Sequence, residues 1–153
     1  MQMENVMPIS KIHRAAGITA FLIIALFLAS TISVELSGSH EGIALVKRTI
    51  LFVIPLLVIA MATTGASGAR LAGDNPKGLA KTKLKRMKVV AFFGVVILIP
   101  SAYYLNLLAS QGDFGMLFMS VQGLELLAGA TNLVLIGMNA RDGIRLSGSV
   151  SAV

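Results

Sequence analysis

Apolar residues run through this chain in four long blocks, and nearly all the charged residues fall between or beside them. The blocks cover roughly residues 13–34, 49–69, 89–108 and 114–139. Each is close to the ~20 residues a helix needs to cross ~30 Å of hydrocarbon. The pattern predicts an all-α protein, a four-transmembrane-helix bundle forming one membrane domain over residues 1–153, with both termini on the same side. The first block is longer than a signal-peptide core, so it is read as a retained span rather than a cleaved leader.

The fourth block, FGMLFMSVQGLELLAGATNLVLIGMN, departs from uniform greasiness. At 3.6 residues per turn, Gln122, Glu125, Gly129, Asn132 and Asn139 share one arc of about 100°. A carboxylate at membrane depth costs about 2.5–3.5 kcal/mol on insertion scales, so this arc is expected to face protein rather than lipid. Two roles suit Glu125. One is a proton or cation site. The other is a packing contact, through hydrogen bonds to Gln122 or to Tyr103, Tyr104 and Ser101 of the third span.

Between the blocks, Glu35 to Val46 reads as a small-residue loop containing His40, and Ala109 to Asp113 as a tight turn. Arg70 to Lys88 is a long basic connection that turns at Asp74-Asn75-Pro76. Ser10 is placed to cap the first helix. Pro55 should kink the second, Pro100 lies just past the middle of the third, and the residues after Gly143 read as a loose polar tail. Ala20–Ser30 can be laid on Ala91–Ser101 as a trace of duplicated hairpins.

Charge sets the orientation. The net charge is +6, which by itself would suit nucleic acid, but the cations flank apolar blocks and so point to a membrane surface. With the N-terminus inside, Lys11, Arg14, the seven cations of residues 70–88, Arg141 and Arg145 are cytoplasmic, and only Lys47 and Arg48 lie opposite. Eleven against two predicts an N-in, C-in protein of the bacterial cytoplasmic membrane. The expected partners are anionic lipid headgroups, and further copies of this chain or other membrane subunits, with no nucleic acid.

Composition then narrows the chemistry. The absence of cysteine excludes disulfides, thiolate-held metal clusters and covalent haem attachment. No phosphate-binding Gly-rich loop or nucleophile–base pair is present. His13 remains as a candidate ligand for haem iron, with Gly17 one turn on admitting a porphyrin edge. The small-residue stretch Gly65–Ala69, which includes Ser67, offers a bare helix surface. Arg14 and Arg86 stand at the depth of haem propionates, and Asn132 and Asn139 close the fourth helix at the same end. His40 lies on the opposite side, so a second axial ligand would come from Met87, Met138 or another protomer.

Several motifs together carry a resemblance. They are Lys11-x-His13, Gly65-x-Ser67-Gly68, Lys85-Arg86-Met87, Gln122-x-x-Glu125-Leu126-x-Ala128-Gly129-Ala130-x-Asn132 and Asn139-x-Arg141-Asp142-Gly143. In these the chain resembles small four-helix inner-membrane proteins of proteobacteria, a likeness that implies topology and no activity. In architecture it is also similar to four-helix b-type cytochromes, which pair histidines on facing helices, whereas this chain lacks the pairs. The functions expected are a haem b- or quinone-binding electron-transfer subunit, a non-catalytic accessory or assembly subunit, or a small proton-linked transporter using Glu125. An enzyme acting alone is not expected.

Overall fold

The computed structural model describes residues 3–150, with side chains for residues 9–145. Four helices account for almost all of it. They are α1 (Met3–Ser37), α2 (His40–Ala72), α3 (Gly78–Ser110) and α4 (Met116–Val150). Each holds a stretch long and apolar enough to cross a membrane. The exposed surface agrees with that, since large apolar side chains such as Leu26, Phe52, Ile59, Val95, Leu127 and Val134 face outward. A belt of this kind would drive aggregation in water, and acyl chains solvate it.

The helices are longer than the apolar blocks, and the connections correspondingly shorter. Glu35 to Val46 is not a loop. α1 continues to Ser37, Gly38 turns with φ 66°, Ser39 caps α2 by accepting from the Gly42 amide, and α2 starts at His40. Glycine suits the position because it reaches positive φ without a Cβ clash. Ser10 is no N-cap, because α1 begins at Met3. The tail expected to be loose is helical to Val150, and residues 151–153 lie outside the described part.

α3 changes character midway. It is α-helical over Gly78–Phe92 and again over Ile99–Ser110, and Phe93–Leu98 between them is π-helical. Pro100 stands at the start of the Ile99–Ser110 segment, a position that tolerates a missing N–H. α1 has no comparable break over Ala20–Ser30, so the two segments that align by composition differ in backbone.

Two apolar clusters hold the bundle. At the end bearing the short turns, Ile43, Leu105, Leu108, Ala109 and Phe118 are buried together. His40 stacks on Phe114 beside them, with ring centroids 4.2 Å apart. Toward the basic end, Ile24, Val90 and Ile136 form a second cluster with Phe21, Leu57 and Met61 around it. α2 runs close to the Ile99–Ser110 half of α3 and loosely against its Gly78–Phe92 half. That divergence opens the interior.

Candidate functional site

The buried face of α2 follows the spacing Ile43, Lys47, Ile50, and further on Ala60, Thr64 and Ser67. Lys47 therefore sits on the stripe that packs inward, two turns into the helix, and its side chain has 0% exposure. Its ammonium meets Glu125 Oε2 of α4 at 2.5 Å, and Gln122 Nε2 donates to the same oxygen at 3.2 Å. Glu35 of α1 is near enough to act electrostatically on Lys47. The expected inward arc of α4 is confirmed, with Gln122, Asn132 and Asn139 buried and Gly129 facing Leu28. Of the partners expected for Glu125, Gln122 is found and those on the third span are not. Tyr103 and Tyr104 turn outward, 62% and 38% exposed, and a lysine takes the place assigned to them. A buried carboxylate requires a charge or several donors, and Lys47 with Gln122 supplies both.

Above this pair, toward the basic end, lies a cavity of about 500 Å³. Its walls are almost wholly apolar, with Ile54, Leu57 and Met61 of α2 facing Met87, Gly94 and Leu98 of α3. Exposed residues of α2 (Val58, Ala62, Ala69) and of α3 (Ala91, Val95) border it, so it opens toward the surrounding lipid. Its polar lining is sparse and comes chiefly from Thr31, Glu125 and Asn132, with Lys88 at the basic end. Asn132 Nδ2 donates to the Val90 carbonyl at 3.2 Å, which fixes the orientation of the amide, and Asn132 Oδ1 is buried with no partner among the described residues.

The basic end carries a separate network. Arg86 Nη1 donates to Asp142 Oδ2 at 2.6 Å and to Asn139 Oδ1 at 3.4 Å, and Asn139 Nδ2 donates to the Lys83 carbonyl. Arg141 adds a longer contact to Asp142 at 3.5 Å. These bonds lock the first turns of α3 to the end of α4.

His13 joins α1 to α2 nearby. Its Nδ1 lies 3.1 Å from the Thr64 carbonyl and 3.1 Å from Ser67 Oγ. A carbonyl only accepts, so Nδ1 carries the proton and Nε2 the lone pair. The ring sits over Gly68, where an added Cβ would come within 3.1 Å of Cε1, and Gly17 faces Thr64.

Of the residues singled out in the sequence, the structure thus joins His13 to Ser67 directly, with Gly17 against the adjoining Thr64. Arg86 joins Asn139, and Gln122 joins Glu125. Arg14 is exposed on α1. Glu125, Gly129 and Asn132 of α4 line the cavity, as do Gly65, Ala69 and Met87. Sequence reasoning missed Lys47, Thr31 and Asp142. Lys47 carried a usable signal in its four-then-three spacing from Ile43 to Ile50. Among the described residues no three His, Cys, Asp or Glu side chains converge as a metal site. No known protein family, characterised protein or solved structure matches the chain.

Proposed function

We propose that this four-span protein is a membrane subunit that binds a lipid-soluble ring compound of the quinone class in its cavity, serving electron transfer or its assembly rather than acting as an enzyme alone. The cavity carries the reading. It is apolar, open to lipid and of small-molecule size, and its polar groups lie deep in the bilayer. Over the apolar run 114–139, Glu125 is within about 3 Å of the midpoint and Asn132 about 8 Å to the other side of it, at 1.5 Å per residue. Phospholipids keep their polar atoms at headgroup depth. A quinone ring on a polyisoprenoid tail brings polar atoms to mid-membrane.

The test uses two glycines. An added Cβ at Gly94 or Gly65 meets nothing within 4 Å, and both residues line the cavity. Both positions therefore accept a Cβ without a clash, and Gly94→Phe and Gly65→Phe are the substitutions that test whether the space is used. Solvent extracts of the purified parent should contain quinone, and those of either variant at least about tenfold less, at unchanged thermal stability. Parent protein that neither carries quinone nor takes up an added analogue would end this reading.

Haem b is the second reading, and one observation favours it. Nδ1 of His13 is committed to a backbone carbonyl, the arrangement that orients a ligating imidazole and leaves Nε2 for iron. Because His13 lies outside the cavity and its ring already covers Gly68, a porphyrin would need another surface, such as one shared with a second protomer. A Soret band lost in His13→Ala and kept in His40→Ala would support it.

The charge distribution supports a bacterial cytoplasmic-membrane location with the basic face inside. The lack of native cysteines makes this simple to test, because Lys77 and Gln111 are exposed in opposite connections. An impermeant thiol reagent should label Gln111→Cys and spare Lys77→Cys in intact cells. The reverse pattern would invert the orientation.

A further inference from the structure

Among the described residues two threonines are buried, Thr31 and Thr64, and their hydroxyls are used differently. Thr64 Oγ1 returns to its own helix and donates to the Ala60 carbonyl at 2.8 Å, the habit of a threonine inside a helix. Thr31 is 2% exposed, yet its hydroxyl makes no hydrogen bond among the described residues. The Phe27 carbonyl one turn back accepts from Ser30 Oγ instead, at 3.1 Å. A buried hydroxyl without a partner is costly to keep. The unpartnered side-chain oxygens that are wholly enclosed belong to Glu35, Gln122 and Asn132, and Thr31 Oγ1 is not among them. It therefore borders open space, and the space that Thr31 lines is the cavity.

Thr31 stands at the closed end of that cavity. A Cβ added at Gly137 would meet Phe21, and one added at Gly129 would meet Leu28, so α1 and α4 run antiparallel with Leu28 level with Gly129. Three residues further along α1, Thr31 is level with Leu126 and beside Glu125. All three line the cavity, and the buried Ile50 and Ala102 floor it there. The opening to lipid is elsewhere, bordered by Ala62 and Ala69 of α2 and by Ala91 and Val95 of α3. We infer that Thr31 anchors the ring of the ligand at this inner end. Its hydroxyl hydrogen-bonds one ring oxygen, and the tail leaves toward lipid between α2 and α3. This rests on the quinone-class reading above and adds the orientation of the ligand and the residue that sets it. Glu125 is already held by Lys47 and Gln122, whereas the threonine hydroxyl is uncommitted. Against the apolar walls a ring oxygen would go unpaired. A hydroxyl both gives and takes a hydrogen bond, so Thr31 serves the carbonyl of an oxidised ring and the hydroxyl of a reduced one alike.

The experiment titrates the full chain, in detergent or nanodiscs, with a benzoquinone bearing a decyl tail, and records the carbonyl infrared bands of the bound ring. Thr31→Val keeps the outline of the side chain and removes the hydroxyl. It should weaken binding about three- to tenfold, the weight of one neutral hydrogen bond. The empty variant should melt at or above the parent's temperature, because no contact within the protein is lost. Thr31→Ser keeps the hydroxyl and should bind much as the parent does. In the parent one ring carbonyl should absorb at lower frequency than the other, and Thr31→Val should remove that difference. A hydroxyl with a structural role alone would lower the melting temperature and leave the bands unchanged. Equal binding by parent and Thr31→Val, or a destabilised empty variant, would overturn the inference and leave the cavity reading standing. The parent's spectrum decides independently of any variant, since two equivalent carbonyl bands would overturn the anchor by themselves. Parent protein that binds no quinone would remove the cavity reading itself.

Discussion

Lys47→Met should destabilise the folded bundle by about 3–5 kcal/mol, the usual cost of leaving one partner of a buried ion pair alone. Among the described residues Lys47 is the cation in contact with Glu125, and its own side chain has no solvent exposure. Glu125→Gln alone should cost a similar amount. It keeps the shape and an acceptor for Gln122, but it strands the ammonium. Combining the two changes should restore most of the loss, because a neutral, hydrogen-bonded pair needs no counter-charge. The residue of the loss belongs to Glu35, which would then lack the nearby ammonium. Thermal unfolding of the four proteins in one detergent supplies the double-mutant cycle. Parent-like stability in Lys47→Met would mean that the lysine reaches water and the pair contributes nothing.

The second large effect is expected at the basic end. Arg86→Leu leaves Asp142, 2% exposed, with the longer contact from the exposed Arg141 and the charge of Lys83 nearby. The melting temperature should fall, by less than in Lys47→Met, because those two cations still compensate in part. Arg86→Lys should recover some of it and not all, since the ammonium is more strongly hydrated and loses more on entering a half-buried site. Adding Asp142→Asn to Arg86→Leu should recover more than lysine does, by removing the charge instead of pairing it. Limited proteolysis within residues 78–88 offers a second readout, because these bonds tie the start of α3 to α4. Equal melting of Arg86→Leu and the parent would place the network outside the folding energetics.

The inward arc of α4 was legible because a 3.6-residue period sorts five residues onto one face whatever the rest of the chain does. His13 and Ser67 were legible as belonging to one end, and the contact between them follows once α1 and α2 form a tight hairpin. Lys47 was not read correctly, for a physical reason. A lysine next to an apolar block ordinarily reaches the interface with its long stem, and composition cannot distinguish that from one turned inward by its register between Ile43 and Ile50. The hairpin at Gly38 was hidden by small residues that suit a loop and a helix end equally. The π-helical turn left no mark beyond Pro100, because one extra residue in a 33-residue helix changes neither its length nor its hydropathy enough to notice. The cavity depends on that turn and on how α2 and α3 diverge, which are tertiary facts.

The ion pair between Lys47 and Glu125 also bears on how the chain enters the bilayer. Its members are 78 positions apart, so at about 5–20 residues per second the ribosome makes the lysine on the order of 4–16 s before the glutamate. During that interval α2 carries a charge without the carboxylate that pairs with it in the finished protein. Glu35 is made twelve residues earlier, at the far end of the same hairpin, and stands close to Lys47 in the finished protein. Of the two carboxylates that act on Lys47, Glu35 is thus the one already present while α3 is inserted.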